Sequence, residues 1–539
     1  MWTRDWRERG WSQVDQAWDI VIVGGGIVGA GILREATRLG WQALLVEQRD
    51  FAWGASSRSS KLIHGGLRYL KAGNFRVARD SARQRECLLK ETEGLVSPVG
   101  FLFPTYKNSF PRPWMYQVVL SLSDMFASRR DHQHYNVETF QLLAPYIARA
   151  GLTGGYRIGE ARTDDARLVL SVLSEAVATG GMALNYVSAQ ELLWRNGRVV
   201  GLRLREGEQG RTAEVHAKIV VNATGAWADQ LRGQLAAQVR LRPLRGSHLV
   251  FPFWRLPLPQ ALGWNHPFDH RPVSLLPWEG VTIVGTTDID YTQSLDDEPG
   301  IQPEEVSYLM AALAAQFPSL HLTLDDVIAT FSGVRPVINT AQSNSSSESR
   351  DHAVWEEKGL LTVTGGKLTT FRLMTMDVVK AIASLEPALV TSPPARKKPN
   401  ISKSSRLEAM TETVRERLLS RFGTYANEVF TLARPGELEA IPGTQTLWVE
   451  LRWAARAEGV IHLDDLLLRR VRLGLLLPQG GKEHLPTIRA ICQDELGWTD
   501  KSWEQEEQDY LALLKKSYSL PDRSTIPDWH DLLKAARKG

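Results

Sequence analysis

Cysteine is nearly absent from this 539-residue sequence, in which Cys87 and Cys492 are the only two. Two cysteines so far apart exclude a disulfide-rich scaffold, an iron–sulfur cluster and a cysteine-based metal site. We expect both thiols to be reduced, as on a cytosolic face of the cell. The sequence predicts no bound metal.

An excess of charge of either sign is also missing, because 64 basic and 61 acidic residues leave a net charge of +3. No basic stripe with interleaved aromatic residues is present, so a nucleic-acid partner is not implied. No run approaches the roughly 20 apolar residues needed to cross a bilayer. The first residues, MWTRDWRER, lack the apolar core of a signal peptide. We expect a protein that does not cross a membrane, although it can still lie on one.

A glycine-rich turn stands out among the features that are present. Residues 19–31 read DIVIVGGGIVGAG, and residues 44–47 read LLVE. Gly24, Gly26 and Gly29 have the spacing that lets a strand–turn–helix unit approach a pyrophosphate at a helix N-terminus. Glu47 stands where a carboxylate accepts hydrogen bonds from an adenosine ribose, and it would repel a 2′-phosphate. The unit predicts a dinucleotide other than NADP.

Two further segments end strands in small residues and glycine, the edge at which open α/β sheets bind ligands. They cover 222–225 and 364–370, and a serine-rich loop covers 54–66. A nicotinamide cofactor with one nucleotide-binding half does not explain all three segments, and three ordinary turns explain them poorly. An extended FAD, contacted along its whole length, explains them together.

Residues 56–69, SSRSSKLIHGGLRY, closely resemble the signature of the FAD-dependent glycerol-3-phosphate dehydrogenases. The resemblance extends from about residue 17 to 480. It continues in the following segments: RGSH at 245–248, SGVRP at 332–336, SRDH at 349–352, GGKLTT at 365–370 and DLLLRRVR at 465–472.

This resemblance implies an α/β fold with a Rossmann-like FAD domain of the glycine and amino-acid oxidase type. It also implies an inserted, mostly antiparallel β substrate domain and a C-terminal α-helical domain. We predict the FAD domain in 17–105, 155–240 and 325–390, and the substrate region in 106–154 and 241–324. A Pro-, Lys- and Ser-rich linker at 391–405 precedes the helical domain at 406–539.

The implied reaction is oxidation of sn-glycerol 3-phosphate to dihydroxyacetone phosphate, with hydride passing to FAD and electrons then passing to a membrane quinone. The implied location is peripheral, on the cytoplasmic face of the inner membrane, and a homodimer is possible in such a protein. The alternatives are an oxygen-using glycerol-phosphate or amine oxidase that releases peroxide, and a non-catalytic flavin-binding protein.

The resemblance also assigns roles to individual residues. Arginine suits a dianionic phosphate because its fork binds oxygen atoms in pairs, and we assign Arg335, Arg350 and Arg58 to that group. His248 is the favoured proton acceptor and His64 its competitor, because histidine titrates near neutral pH; the high pKa of arginine makes it a costly base. Lys367 follows two glycines at a predicted helix start, facing flavin or substrate. The predicted cofactor-binding residues are Gly24, Gly26, Gly29, Glu47, Ser56, Ser57, Ser60, Lys61, Leu62, His64, Ala223, Thr224, Gly225, Gly366, Lys367, Leu368 and Thr369.

Membrane contact has one candidate element. Residues 113–126, PWMYQVVLSLSDMF, place apolar side chains on one helical face with arginines at both ends. This pattern fits an interfacial helix, but it fits a helix packed on the protein core equally well. The N-terminal tryptophans Trp2, Trp6 and Trp11 form no single apolar stripe.

Overall fold

A computed structural model describes residues 2–3, 5–66, 75–92, 94–107, 120, 132–339, 351–389 and 410–538. Arg350, the linker 391–405 and the segment 113–126, apart from Leu120, lie outside these residues. The predictions made for them stay predictions.

The described chain forms eighteen strands. They are β1 Trp18–Val23, β2 Ala43–Val46, β3 Leu62–Ile63, β4 Val96–Tyr106, β5 Gln133–Tyr135, β6 Leu152–Thr163, β7 Met182–Leu184, β8 Val187–Arg195, β9 Arg198–Glu206, β10 Thr212–Asn222, β11 Leu241–Pro252, β12 Ala261–Asn265, β13 Pro272–Trp278, β14 Val281–Gly285, β15 Ile289–Asp290, β16 Ala329–Ile338, β17 His352–Glu357 and β18 Leu360–Gly365.

Helices connect and cover these strands and also form the C-terminal region. They are α1 Trp6–Trp11, α2 Ile27–Arg38, α3 Phe75–Glu91, α4 Val137–Leu143, α5 Asp165–Ala178, α6 Ala228–Gly233, α7 Pro303–Gln316, α8 Phe371–Leu385, α9 Glu412–Phe422, α10 Ala426–Leu432, α11 Trp448–Ala457, α12 Leu473–Leu476, α13 Leu485–Leu496, α14 Asp500–Leu513 and α15 Trp529–Lys538. A 3-10 turn at Leu368–Thr370 precedes α8, and a π-helical turn covers Asp465–Arg470.

The first sheet has eight strands. Its strands run β17-β18-β10-β1-β2-β7, with β8 and β9 continuing from β10. Strands β1, β2, β7, β10 and β18 pair in parallel, and their apolar side chains are buried on both faces, as in doubly wound sheets. The strand–turn–helix unit predicted at 19–31 and the strand at 44–47 are therefore present as β1, α2 and β2.

The second sheet has ten strands, in the order β15-β11-β14-β13-β12-β4-β6-β3, with β16 beside β11 and β5 beside β6. All of its pairs are antiparallel except β12 with β4. The mostly antiparallel second domain is thus present, but the division differs from the predicted one. Strands β4, β6 and β16 fall largely in segments predicted for the FAD domain; β4 pairs along β6, and β16 along β11, so all three belong to the second sheet.

Two other segments make contacts that their sequence did not predict. Trp2 is buried against Phe51 and its indole N–H donates to the carbonyl of Ala183, so it belongs to the core of the first domain. The run HLDDLLLRRVR at 462–472, with acids first and arginines last, has the charge order that suits a helix dipole. Its arginines instead reach across to other segments of the chain. In the described residues, no helix is both long and apolar enough to cross a membrane.

Candidate functional site

A large cleft of about 1420 Å³ lies between the carboxyl ends of the parallel strands and the antiparallel sheet. Ligand pockets in proteins usually measure about 300–1,000 Å³, so this cleft has room for a dinucleotide and a small substrate together. Most of the predicted site residues line it, namely Gly24, Gly26, Glu47, Ser56, Arg58, Ser60, Leu62, His64, Ala223, Thr224, Gly225, His248, Arg335, Gly366, Lys367, Leu368 and Thr369.

The glycine turn after β1 is shaped as a backbone cradle. Gly24 has a φ of +115°, and a Cβ at that position would lie 2.5 Å from the carbonyl oxygen of Ala223. Gly29 does not line the cleft; a Cβ there would lie 1.9 Å from the carbonyl oxygen of Gly24, so the residue lets α2 pack on the turn. The open N-terminus of α2 therefore faces the cleft at Gly26, where a pyrophosphate fits.

Glu47 lies at the end of β2 and supports this cradle. Its Oε2 accepts a hydrogen bond from the Gly25 N–H at 2.6 Å, and its Oε1 accepts one from the Arg49 N–H at 2.9 Å. Burial raises the pKa of Glu47, against these hydrogen bonds. The carboxylate is held at the cleft wall, at the place where the motif puts a ribose contact.

The serine-rich loop divides into residues that face the cleft and residues that do not. Ser56 and Ser60 line the cleft, and Ser56 Oγ accepts the Ile27 N–H at 3.0 Å. Ser57 and Lys61, both predicted to contact the cofactor, are buried behind the loop. Lys61 Nζ donates to the Ser57 carbonyl at 2.7 Å and to both carboxylate oxygens of Asp165 at 2.8 Å. Burial, and then the charge of Arg472, lower the pKa of Lys61 to about 7.

His248 lies on β11 and is buried at the base of the cleft. Its Nε2 is 2.8 Å from Ser60 Oγ, and its ring stacks on Phe331 with 4.5 Å between centroids. Burial, and then the charges of Arg335 and Lys61, hold the pKa of His248 well below its ordinary value. The imidazole is therefore neutral at neutral pH, with a lone pair on one ring nitrogen but a lower basicity than an ordinary histidine. His64 also lines the cleft, with Nδ1 3.7 Å from Glu160 and half of its side chain exposed.

Arg335 lies on β16, beside β11, and its guanidinium is held at the cleft by partners from the turn after β14. It donates to Asp288 at 2.7 Å and to Thr286 Oγ1 at 2.8 Å. The side chain remains one-quarter exposed, so it is oriented by these partners while still facing the cleft. Asp288 and Thr286 were not predicted; the run GTTD at 285–288, four small or acidic residues closing a strand, was the available signal.

The other predicted phosphate ligands differ from Arg335. Arg58 is buried, and its guanidinium pairs with Glu298 and reaches Tyr518 Oη at 3.4 Å. This internal ion pair gives no support to a substrate contact for Arg58. Lys367 lines the cleft directly before the 3-10 turn that starts α8, as its sequence position predicted.

Comparisons with known proteins identify the family to which this chain belongs. A family model of FAD-dependent oxidoreductases matches residues 19–372, and a model of the C-terminal domain of alpha-glycerophosphate oxidase matches residues 390–503. Glycerol-3-phosphate dehydrogenase 2 of Mycobacterium tuberculosis is 31% identical over 557 residues, covering 98% of this chain and 93% of that protein. This chain belongs to the FAD-dependent glycerol-3-phosphate dehydrogenase family.

A solved member of the family has the same architecture. The glycerol-3-phosphate dehydrogenase of Bacillus halodurans, complexed with FAD, is 28% identical and aligns with a TM-score of 0.78, covering 96% of this chain and 98% of that one. Glycine oxidase of Geobacillus kaustophilus, at 19% identity and a TM-score of 0.53, covers 68% of this chain and shares the fold alone. The predicted fold class and FAD as the cofactor are thereby confirmed, and the chain is an FAD-dependent enzyme.

Proposed function

We propose that this enzyme oxidises sn-glycerol 3-phosphate to dihydroxyacetone phosphate. The observation that carries the proposal is Arg335, a guanidinium oriented by Asp288 and Thr286 in the same cleft as a buried, neutral imidazole at His248. A preoriented arginine fork suits a phosphate dianion. A neutral histidine suits the proton that leaves a secondary alcohol.

The residues that would hold FAD are those of the cradle and the strand ends. Gly24, Gly26 and Glu47 suit the ADP half, and the segments 223–225 and 366–369 suit the remainder. FAD, when bound, accepts the hydride from the substrate carbon. Lys367 lines the cleft beside that segment, and we assign its positive charge to the reacting centre.

In this proposal the Ser60 hydroxyl donates to His248 Nε2 across their 2.8 Å contact; it accepts the proton of the substrate hydroxyl as its own proton passes to that nitrogen. Arg335 lowers the pKa of His248 by its charge, after the larger effect of burial. The same guanidinium therefore binds the phosphate and keeps the base unprotonated before substrate arrives.

We infer that electrons pass on to a quinone. Support comes from the wall of the cleft formed by the antiparallel sheet, where β4 and β12 carry the rings Phe101, Phe103 and Trp264, a surface suited to a quinone ring. The match of the C-terminal domain to alpha-glycerophosphate oxidase favours oxygen as the second candidate. A peripheral place on the inner membrane and a homodimer stay predictions.

An anaerobic absorbance titration tests the reaction. We expect sn-glycerol 3-phosphate to bleach the visible flavin bands, unphosphorylated glycerol to leave them unchanged, and an added quinone to restore them. Stoichiometric peroxide in aerobic turnover without quinone would instead identify an oxidase. A flavin that glycerol 3-phosphate does not bleach would overturn the proposal.

Two variants test the residue roles. Arg335→Ala should raise the KM for glycerol 3-phosphate about a hundredfold, the usual cost of removing one partner from a buried charge pair, with FAD still bound. Arg242→Ala is the matched control, because its guanidinium pairs with the half-exposed Asp290 on the same sheet.

His248→Ala should lower kcat about a hundredfold or more. A wild-type KM in the first variant, or a wild-type kcat in the second, contradicts the respective assignment.

A further inference from the structure

The loop that carries Ser60 is held in place by a buried ion pair between Lys61 and Asp165. Lys61 has a φ of +59°, the left-handed region that side chains other than glycine seldom adopt. Its ammonium is fully buried between the Ser57 carbonyl and Asp165. The Lys61 side chain therefore links its own loop, at Ser57, to the start of helix α5, at Asp165.

Asp165 gathers the contacts of this loop at the start of α5. Its Oδ2 accepts the Ser59 N–H at 2.9 Å and the Ser59 hydroxyl at 2.7 Å. Its Oδ1 accepts a guanidinium N–H of Arg472 at 2.7 Å. Residues on both sides of Ser60 are thus bound to one buried carboxylate.

Arg472 connects the C-terminal domain to Asp165 and to the serine-rich loop. It follows the π-helical turn 465–470 and is itself in the left-handed region, with a φ of +66°. Its guanidinium is buried, and besides Asp165 it donates to the Ser57 carbonyl at 2.9 Å and the Leu468 carbonyl at 2.6 Å. Arg472 therefore binds both the loop, at Ser57, and the carboxylate that holds the loop, Asp165.

The buried cluster of Lys61, Asp165 and Arg472 lies next to His248. Ser60 lies between the two tied residues, with Oγ 2.8 Å from His248 Nε2. Lys61 Nζ lies 5.0 Å from the ring of Phe331, and that ring stacks on His248. The imidazole is held at its Nε2 edge and on one face by groups that the cluster fixes.

We propose that Arg472 is a positioning residue through which the C-terminal helical domain, acting on Asp165 and Lys61, sets the Ser60–His248 pair for catalysis. The proposal rests on the role of His248 in the proposed function. It gives the C-terminal domain a part in catalysis even though its arginine does not line the cleft. A displacement of about 1 Å at a reacting group is enough to lower a rate a hundredfold.

The test compares Arg472→Gln, Arg472→Lys and the control Arg489→Gln in the full-length, FAD-loaded enzyme. Arg489 belongs to the same domain and pairs with the exposed Asp500. We expect Arg472→Gln to slow anaerobic flavin reduction at saturating substrate about tenfold or more, with KM changed less than about threefold. Arg472→Lys, which keeps the charge and a donor, should recover most of the rate, and the control should match wild type.

Hydrogen exchange supplies a readout independent of turnover. Peptides covering 57–62 should exchange faster in Arg472→Gln than in wild type or in the control. Unchanged reduction and exchange in folded, FAD-loaded Arg472→Gln would overturn the proposal, as would an effect confined to KM. If that variant does not fold, Ser59→Ala decides, since it removes one hydroxyl contact to Asp165 and should show the same changes more weakly. A wild-type rate in His248→Ala would count against the proposed function instead, without altering the exchange result expected here.

Discussion

At the scale of single residues, two glycines make room for the two side chains that the proposed chemistry needs. A Cβ on Gly285 would lie 2.3 Å from Cδ2 of His248, and one on Gly246 would lie 2.2 Å from a guanidinium nitrogen of Arg335. Both glycines lie in strands of the antiparallel sheet, and neither has a positive φ. Their role is therefore steric.

Alanine at these two positions should separate proton acceptance at His248 from phosphate binding by Arg335. We expect Gly285→Ala to displace the imidazole and lower kcat at least tenfold, since overpacking of a buried site forces side chains off their rotamers. Gly246→Ala should push the flexible end of Arg335 away from Asp288 and raise KM at least tenfold, with a smaller effect on kcat. Steady-state kinetics on FAD-loaded protein measures both.

Gly233→Ala is the control for this pair, because no atom beyond its chain neighbours and its own helix backbone lies within 4 Å of the added methyl group. It should leave both constants at wild-type values. If Gly285→Ala changed only KM, or Gly246→Ala only kcat, the roles assigned to the neighbouring side chains would be exchanged.

The candidate site could be predicted from sequence where its residues act through their own backbone segment. Gly24, Gly26 and Glu47 form one continuous unit, so their spacing alone indicated their role. The role of Lys61 could not be read in this way, because its partner Asp165 is 104 residues away and the arginine that completes the cluster lies 307 residues beyond that partner. Asp288 was missed for the same reason, since only the antiparallel sheet brings it to Arg335.

At the scale of elements, the local patterns predicted strands and helices better than they predicted partners. The strands expected to end in the small-residue segments 222–225 and 364–370 are present as β10 and β18, which end at Asn222 and Gly365. The acid-to-basic run at 462–472 forms a π-helical turn whose arginines bind distant carboxylates. Local charge order fits a helix dipole equally well, so sequence could not distinguish the two arrangements.

The start of this turn also carries a pH-dependent contact. His462 Nδ1 lies 2.9 Å from Glu506 on α14, its Nε2 lies 3.5 Å from Glu208 after β9, and its ring meets the edge of Tyr186. Burial alone would lower the pKa of His462, but Glu208 and Glu506 raise it to about 11. The protonated histidine therefore links three elements across the physiological range.

We expect this link to weaken in alkaline solution. Because the folded pKa is above the unfolded value of 6.5, the stabilisation is complete below that value and is lost as pH rises toward the folded pKa. The Tm of the wild type should fall more between about pH 6.5 and about pH 9 than the Tm of His462→Gln. Parallel Tm curves for the two proteins would show that the histidine is not protonated in the native state.

At the scale of the whole molecule, buried ion pairs join the C-terminal domain to the nucleotide-binding sheet. Asp50, just after β2, is fully buried and accepts from Arg469 at 2.5 Å and from Arg470 at 2.7 and 2.8 Å. Burial would raise the pKa of Asp50, but Arg470 and Arg469 together lower it to about 2. Two domains far apart in sequence thus share one carboxylate.

Asp50→Asn should therefore weaken the whole molecule. The amide leaves two buried guanidinium groups without their shared counter-ion, and breaking a buried pair costs about 3–5 kcal/mol. Asp500→Asn is the matched control: it removes one carboxylate charge from the same chain, but its partner Arg489 and the carboxylate itself face solvent, where ion pairs contribute little. Denaturant unfolding followed by flavin release and by tryptophan fluorescence should show an earlier transition in Asp50→Asn and a wild-type transition in Asp500→Asn. Equal midpoints in the two variants would mean that apolar packing alone holds the C-terminal domain in place.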